Sequence, residues 1–431
     1  MILEPISKPQ ELRISDCRLR IMSSVNPQFA IRNSQSGVVL KCALRGSVSD
    51  TFWDVVVIGA GPAGAMAARE VARRGASVLL VDQSSFPRQK VCGCCFNGAA
   101  LGTLEAVGLG ELPARCGAQP LRAMQLAAGR WQATIALPRS VALSRETFDD
   151  ALAQAAVRAG AQFAPMTRAT LGPLEPDARR VTLACGNDKV DVHARVVLVA
   201  TGLHTQMLNA DQGLTVSVER HSRVGLGAVL DEAPDWCHRG TIFMARGRFG
   251  YVGLVRLEDG RLDIAAACDP MFVRACRGPG NAVRRLLDEV GWPCPVGVLE
   301  CAWRGTPWLT RRRKHLGAQR LFLIGDAASY VEPFTGEGIA WALASGAAVA
   351  PLAARAARRW DPSFAAQWTA AYARLIQRRQ RACRLVSGVL RRTDVTAGII
   401  SLLSRMPRLA APFVRAVNAS FPIPEGTPLR D

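Results

Sequence analysis

The sequence predicts an α/β fold with an inserted, mostly antiparallel β-sheet and a helical C-terminal region. Three observations support this. A strand, a glycine-rich turn, a helix and a second strand follow one another between residues 54 and 83. Between about residues 203 and 308 the pattern changes to short strand-like runs separated by Gly, Asp and Pro. From residue 359 onward the chain is helical and rich in arginine. At 431 residues, the chain is long enough for two or three domains with large cores.

Residues 1–50 are predicted to form a poorly ordered N-terminal extension, because they show no sustained helical or strand period. A start at Met22 is one alternative. This region contains no apolar core of the length that a signal peptide requires, and nowhere do 18 uncharged apolar residues run together. Neither secretion nor a membrane span is therefore predicted.

The first unit of the fold reads DVVVIGAGPAGAMAAREVARRGASVLLVDQ. The apolar run Val55–Ile58 suits a strand buried on both faces, and Gly59 permits a tight turn. Gly61 lets the backbone approach a pyrophosphate, while Gly64 lets the following helix pack close to the strand with its N-terminus facing the phosphates. Asp82, which closes the second strand, suits a ribose hydroxyl. Strand, turn, helix and acid in this order indicate a dinucleotide site.

Two helices are predicted next in the chain. The first covers about residues 98–107, after a loop punctuated by Pro and Gly. The second follows SRETFDDAL, with Ser144 or Thr147 as its N-cap and the acids Asp149 and Asp150 in its first turn. Both helices are expected to pack beside the first unit.

Later segments complete the predicted organisation. The Asp259-Gly260 dipeptide divides two strand-like runs and reads as a hairpin turn. A buried strand then ends at Gly325 and Asp326, and a loop and a long helix of small residues follow within residues 333–359. The remaining chain is basic, with Arg378, Arg379, Arg381, Arg384, Arg391 and Arg392 beside apolar residues.

Composition narrows the class of protein. The net charge of +19 favours anionic partners such as nucleotides or acidic lipid surfaces. Alternatively, it reflects an arginine-rich composition that says nothing about binding partners. The 13 cysteines are odd in number and lack disulfide-like spacing, which indicates a reducing compartment and hence the cytoplasm. No nucleic-acid partner is predicted.

Three motifs together carry a resemblance to a known family. They are FPRQKVCG at 86–93, LSRETFDDAL at 143–152 and IGDAASYVEPFTGEGIAWALASG at 324–346. With them the chain resembles the FAD-dependent oxidoreductases of the glutathione-reductase-like type, and most of all the geranylgeranyl reductases. The resemblance implies a Rossmann-like FAD-binding domain, an inserted β-sheet substrate domain and a C-terminal helical region.

The resemblance also implies which residues hold FAD. Asp82 and the glycines of the first turn would contact the ADP half, and Arg145 the phosphate or ribityl region. Asp326 would bind a ribityl hydroxyl, and the helix end at Gly338 would stabilise negative charge at the flavin edge. Arg88 and Lys90 would contact the cofactor or an anionic substrate, or be solvated. The cofactor-binding residues predicted in this way are Gly59, Gly61, Gly64, Asp82, Arg88, Arg145, Gly325, Asp326, Gly336, Gly338 and Ile339.

The CGCC segment, residues 92–95, has two interpretations. Its thiols lack a second pair or a His partner at zinc-like spacing, so no metal site is predicted. The resemblance places Cys92 near the reactive face of the flavin, where it would donate a proton to substrate or shape the pocket. Cys94 and Cys95 stand where relatives carry Gly or other small residues, which leaves their role open.

The predicted domains are discontinuous. Residues 51–120, 143–203 and 318–358 would bind FAD, residues 121–142 and 204–317 would form the substrate domain, and residues 359–431 the helical region. At two places the sequence differs from related classes of flavoprotein, and both differences bear on function. Thr201 stands where aromatic hydroxylases carry an Asp, and GYVGLV at 250–255 lacks the tryptophan-rich motif of flavin halogenases.

The predicted function is therefore an FAD-dependent oxidoreductase acting on an apolar, isoprenoid- or polyketide-lipid-like substrate, with NAD(P)H as the expected electron donor. One alternative is an FAD-dependent monooxygenase of a phenolic or carrier-bound metabolite. Another is a flavin- or lipid-binding protein without turnover. The basic C-terminal helices suit either peripheral contact with the inner face of a membrane or ordinary solvation.

Overall fold

The computed structural model describes residues 52–205, 208, 213–332, 334 and 336–423. The predicted N-terminal extension, residues 1–50, and the alternative start at Met22 lie outside the described residues.

Eighteen strands are formed by the described residues, numbered here in chain order. They are β1 (Phe52–Ile58), β2 (Val78–Val81), β3 (Cys95–Phe96), β4 (Gln119–Ala128), β5 (Trp131–Ala142), β6 (Gln162–Ala164), β7 (Arg168–Leu174), β8 (Arg179–Cys185), β9 (Asp188–Val199), β10 (Val216–Val218), β11 (Val224–Leu230), β12 (Thr241–Gly247), β13 (Gly250–Arg256), β14 (Leu262–Cys268), β15 (Arg304–Trp308), β16 (Arg311–Arg313), β17 (Gly317–Ala318) and β18 (Leu321–Leu323).

The α-helices of the described residues are numbered in the same way. They are α1 (Pro62–Ala72), α2 (Gly98–Ala106), α3 (Leu112–Arg115), α4 (Arg145–Arg158), α5 (Pro270–Ala275), α6 (Pro279–Asp288), α7 (Gly338–Arg358), α8 (Ser363–Tyr372), α9 (Arg378–Leu390), α10 (Thr393–Arg405) and α11 (Ala411–Asn418). Short 3₁₀ turns cover Gly325–Ala327 and Pro407–Ala410, and a π-turn, Ala373–Gln377, joins α8 to α9.

The first sheet has a parallel core in the order β18-β9-β1-β2-β6, extended antiparallel by β17 at one edge. Strand β1 lies at its centre because Val55–Ile58 are buried, as a parallel strand covered on both faces requires. Strands β7 and β8 branch from the first half of β9 as an antiparallel extension. The predicted Rossmann-like fold is confirmed.

The second sheet has the order β15-β11-β14-β13-β12-β4-β5-β3. All of its pairs are antiparallel except β12 with β4, so the predicted mostly antiparallel sheet is confirmed. The predicted hairpin turn joins β13 to β14, with Gly260 at a φ of +94°. Strand β3 also joins this sheet, although it lies within the range predicted for the FAD-binding domain.

One sequence prediction about α4 is wrong by a helical turn. The helix begins at Arg145 because Ser144 is its N-cap, accepting a hydrogen bond from the Thr147 backbone N–H. Asp149 and Asp150 therefore lie in its second turn rather than its first. This register turns Asp149 toward the first sheet's carboxyl edge, where it meets the Arg145 side chain one turn earlier.

Helix α7 packs between the first sheet and the C-terminal helices. It is long and apolar enough to cross a membrane by length and composition, yet 78% of its most apolar window is buried inside the protein. Contact with α1 is close, because a Cβ on Gly346 would come within 2.3 Å of the Ala63 carbonyl oxygen. We interpret α7 as a core helix.

The C-terminal helices are fixed to the second sheet by buried charges. Arg246 on β12 donates to the Leu390 carbonyl at the end of α9 from Nε at 2.8 Å. Glu332 pairs with Arg223 at 2.9 Å and with Arg391 at 3.4 Å. These contacts hold the C-terminal end of α9 against the second sheet, beside the cavity described next.

Candidate active site

A cavity of about 2230 Å³ runs between the two sheets and the C-terminal helices. It begins at the carboxyl edge of the first sheet, where ligands bind in open α/β folds. Among the predicted residues, those lining it are Gly59, Gly61, Asp82, Arg88, Cys92, Arg145, Asp326, Gly336, Gly338 and Ile339. Gly64 and Gly325 lie behind this wall. Residues far apart in sequence are thus brought to one site.

The glycine turn after β1 has two positions that exclude a side chain. Gly59 takes a φ of +105°, and a Cβ there would come within 2.4 Å of the Ala200 carbonyl oxygen. A Cβ on Gly64 would lie 1.8 Å from the Gly59 oxygen, so helix and strand pack together only with Gly there. Gly61 has open space, with its nearest neighbour 3.7 Å away at Arg88. The turn therefore leaves room for a phosphate at the N-terminus of α1.

Asp82 ends β2 at the rim of the cavity. Its carboxylate accepts hydrogen bonds from the backbone N–H groups of Ala60 and Ser84, each at 2.9 Å. Arg88 lies 3.4 Å from the same carboxylate. Because a carboxylate has about four acceptor positions, Asp82 can still accept a bond from a ribose hydroxyl.

Asp149 organises the two arginines that face the glycine turn. Arg145 binds it through both Nε and Nη2 at 2.8 Å, and Arg88 lies 3.1 Å from its second oxygen. Asp149 is fully buried, and all three side chains are nearly enclosed. No binding role was predicted for Asp149, although its i,i+4 spacing from Arg145 was a usable signal in the sequence.

The residues predicted to contact the flavin ring lie at the entry to α7. Gly336 takes a φ of +71°, and the helix begins at Gly338 without a side-chain cap among the described residues. The first-turn N–H groups of this helix, which have no partner within the helix, therefore lie beside the cavity that Gly338 and Ile339 line. Burial raises the pKa of Asp326 to about 7, although the positive charge of Arg145 opposes this shift.

Cys92 lies between this helix end and the second sheet. Its pKa is lowered, chiefly by a hydrogen bond from the Cys94 thiol and also by the charge of Arg145. Cys94 is buried, and its Sγ lies 3.8 Å from the Cys92 carbonyl oxygen. Lys90 is nearby, and burial lowers its pKa. The thiol at position 92 is thus more acidic than an ordinary cysteine.

The rest of the cavity is apolar and belongs to the second sheet and the C-terminal helices. Its walls include Met124, Leu126, Ile135, Met244, Tyr251, Leu254 and Ala265. It opens between the C-terminal helices at an apolar mouth formed by Leu385, Val389, Ile399, Leu409 and Phe413, which line the cavity and are also exposed to solvent. The mouth was not predicted as part of the site.

These residues fit FAD. Arg88 Nε is buried without a hydrogen-bond partner among the described residues, so the site has an unused donor beside the glycine turn. The N-termini of α1 and α7, for which the described residues supply no side-chain cap, both line this cavity. FAD would satisfy both, because one extended molecule carries a central diphosphate and, at one end, an electron-accepting ring.

Comparison with known proteins decides the family. A family model described as an FAD binding domain matches residues 53–354. The chain belongs to this family. The protein is therefore an FAD-dependent oxidoreductase.

Curated relatives of this FAD-binding protein carry reductase names. Digeranylgeranylglycerophospholipid reductase 1 from Methanothermobacter thermautotrophicus is 29% identical over 341 residues, which cover 72% of this chain and 78% of the relative. Menaquinone reductase from Mycobacterium tuberculosis is 29% identical over 336 residues, covering 71% and 77%. The resemblance to geranylgeranyl reductases is thus confirmed as a similarity at 29% identity, within the family of FAD-binding oxidoreductases.

Solved structures share the fold. The flavin-dependent brominase Bmp2 superimposes with a TM-score of 0.69 at 18% identity, covering 85% of this chain and 94% of that chain. A flavoprotein/dehydrogenase from Cytophaga hutchinsonii gives a TM-score of 0.64 at 19% identity, covering 85% and 96%. At such identities these FAD-binding proteins establish the fold alone.

Proposed function

We propose that this FAD-dependent oxidoreductase reduces carbon–carbon double bonds in the isoprenoid chain of a lipid or quinone, with NAD(P)H as the electron donor. The observation that carries the proposal is the shape of the cavity. It continues from the flavin-binding end beneath the apolar face of the second sheet to the mouth at the C-terminal helices. The substrates in the names of both curated relatives bear isoprenoid chains.

The proposed roles divide along this cavity. Arg88 and Arg145 hold the diphosphate of FAD, Asp82 the adenosine ribose and Asp326 a ribityl hydroxyl, while the α7 N-terminus stabilises negative charge at the flavin edge. FAD, when bound, supplies two-electron redox chemistry. The apolar walls orient the chain and exclude water from the double bond.

Cys92 is the proposed proton donor. Saturating a double bond requires a proton at carbon as well as two electrons, and Cys92 lines the cavity where its flavin-binding and apolar parts meet. Because the pKa of Cys92 is lowered, its thiol gives up the proton readily, and the protonated form that this step needs becomes more populated as the pH falls. The Cys92 Sγ would thus hold the proton and deliver it to the substrate carbon.

We also propose that the mouth rests on the anionic inner surface of a membrane. The five apolar side chains of the mouth are each 40% to 73% exposed to solvent. Apolar side chains clustered on a surface in this way mark an interaction site. Within residues 363–423 there is one acidic residue, Asp394, against arginines at 374, 378, 379, 381, 384, 391, 392, 405, 408 and 415. Apolar side chains ringed by arginine suit a bilayer with acidic headgroups.

The test follows flavin absorbance under anoxic conditions. NADPH should bleach the flavin without substrate, and an isoprenoid lipid or menaquinone should then restore the colour while its chain gains two hydrogens by mass spectrometry. Reoxidation that requires oxygen and yields a hydroxylated product would instead establish the monooxygenase. A flavin that neither NADH nor NADPH reduces would contradict the proposed donor.

A variant separates substrate binding from flavin chemistry. Gly253 on β13 lines the apolar part of the cavity, and a side chain there would first meet the flexible Met244 end at 3.3 Å. We expect Gly253→Leu to remove reoxidation by long isoprenoid chains and to leave bleaching by NADPH unchanged. Equal loss of both steps would count against the proposed path.

A further inference from the structure

Helix α9 has a polar stripe in which one residue follows another at intervals of three or four positions. The stripe consists of Gln380, Cys383, Ser387 and Arg391, the last of which is the C-cap of the helix. Because an α-helix turns once in about 3.6 residues, these side chains lie above one another on one face. Leu385 and Val389, which belong to the mouth, lie outside the stripe. Helix α9 therefore joins a polar contact surface to the mouth of the cavity.

The stripe holds the segment of chain that leads toward α7. At one end, the Ser329 hydroxyl donates to the Gln380 side-chain oxygen at 2.7 Å, and the Gln380 amide donates to the Ser329 carbonyl oxygen at 3.3 Å. At the other end, the Glu332 carbonyl oxygen accepts hydrogen bonds from Ser387 Oγ at 3.3 Å and from Cys383 Sγ at 3.5 Å. Ser329 and Glu332 are both buried. The segment is thus fixed to α9 at two places.

The last member of the stripe, Arg391, closes a ring of four charged side chains. The other members of the ring are Glu332, Arg223 and Asp269. Glu332 lies 2.9 Å from Arg223 and 3.4 Å from Arg391, while Asp269 lies 3.3 and 3.8 Å from the same two arginines. Acids and arginines alternate, so each charge has two neighbours of opposite sign. The ring joins α9 to the second sheet and to the start of α5.

The ring lies behind an aromatic pair in the cavity wall. Tyr251 and Phe334, which both line the cavity, meet edge to face with ring centroids 5.1 Å apart. The Arg223 guanidinium lies 5.8 Å from the Tyr251 ring centroid, and Phe334 follows Glu332 by two residues. Both aromatic side chains are thus attached to the ring. A buried ion pair adds little net stability over apolar side chains, but in some proteins it fixes one geometry.

We propose that Glu332 is a positioning residue for substrate binding. Through the ring it holds Phe334 against Tyr251 in the wall of the apolar part of the cavity, and α9 links this point to the mouth. An isoprenoid chain packs against the aromatic pair, so displacement of Phe334 weakens binding of the chain without changing the flavin end. This inference rests on the proposed function, because it takes an isoprenoid chain as the occupant of the apolar part.

The first test separates substrate binding from the chemical step. The flavin is reduced with dithionite, and geranylgeraniol in neutral detergent reoxidises it in a single anoxic turnover. Arg391→Gln should raise the geranylgeraniol concentration for half-maximal rate about fivefold, as expected when one aromatic contact is lost, and leave the maximal rate within about twofold. Arg391→Lys keeps the charge and should recover part of the affinity. Arg391 is chosen because its loss leaves Glu332 paired with Arg223.

Two further variants distinguish positioning from a general loss of stability. Arg274→Gln makes the same change at an exposed arginine of α5, outside the ring, and should behave as wild type. Phe334→Leu should itself raise the half-maximal concentration, and combining it with Arg391→Gln should add little, because both changes act through one side chain. Unchanged affinity in Arg391→Gln, or effects that multiply in the double variant, would overturn the proposal.

The second test needs neither flavin nor substrate. In flavin-free protein, backbone hydrogen exchange should become faster in Arg391→Gln in peptides that contain Glu332 and Phe334, and should stay unchanged in Arg274→Gln. Unchanged exchange in Arg391→Gln would show that the ring does not hold this segment and would overturn the proposal. If no isoprenoid reoxidises the wild-type flavin, the proposed function is wrong, and the exchange rates alone decide whether the ring positions Phe334.

Discussion

Replacing Asp149 by asparagine should destabilise the flavin-free protein by about 3–5 kcal/mol, the usual cost of removing one member of a buried ion pair. Asp149 is fully buried and makes three contacts of 2.8, 2.8 and 3.1 Å with two enclosed guanidinium groups. Asn keeps the shape and removes the charge. Arg88 and Arg145 would then repel each other without a counter-ion.

The assay is urea unfolding of the flavin-free protein and of protein saturated with FAD. The loss should be smaller with FAD, because the diphosphate replaces part of the negative charge beside Arg88 and Arg145. Asp150→Asn is the matched control, since it makes the same change at the next position of α4. Burial raises the pKa of Asp150, and its Oδ1 has no hydrogen-bond partner among the described residues, so its replacement should cost less than about 0.5 kcal/mol. Equal effects of the two substitutions would refute the reasoning.

Three further outcomes follow from the site. Asp326→Ala should yield colourless protein from a yellow parent, because a ribityl contact is lost, and full retention of flavin absorbance would remove Asp326 from the site. In flavin-free protein, alkylation of Cys92 by iodoacetamide should have a pH midpoint near 6, because the thiolate is the reacting form and the pKa of Cys92 is lowered. Cys94→Ala should move this midpoint upward, and an unchanged midpoint would contradict the hydrogen bond from Cys94 to Cys92. The double variant Leu409→Ser/Phe413→Ser should reduce cosedimentation with vesicles of acidic phospholipid several-fold without lowering flavin content, whereas unchanged binding would show that the mouth does not rest on the membrane.

Local signals in the sequence were sufficient for the flavin end of the fold. The turn at Gly59, the close approach at Gly64 and the cap at Ser144 each depend on a few neighbouring residues, and each could be inferred from spacing. The hairpin at Gly260 belongs to the same class.

Contacts between residues far apart in the sequence could not be predicted from such local signals. Asp149 was predicted one helical turn too early in α4. Its ion pair with Arg88 joins a loop to a helix more than 60 residues later in the chain. Asp263 interrupts the apolar sequence of β14, and its burial beside Val229 and Val255 depends on strand pairing that no local signal encodes. The mouth likewise depends on how α9 to α11 fold back over the second sheet, a tertiary arrangement that helical periodicity does not encode.

The two ends of the cavity are formed by different parts of the chain. The matched FAD-binding region ends at residue 354, while the helices that form the mouth begin after it and are tied down by contacts such as the Gly98 N–H to the Asn418 side chain at 2.6 Å. Substitutions in the C-terminal helices can therefore change the width and polarity of the mouth without touching the glycine turn or the entry to α7.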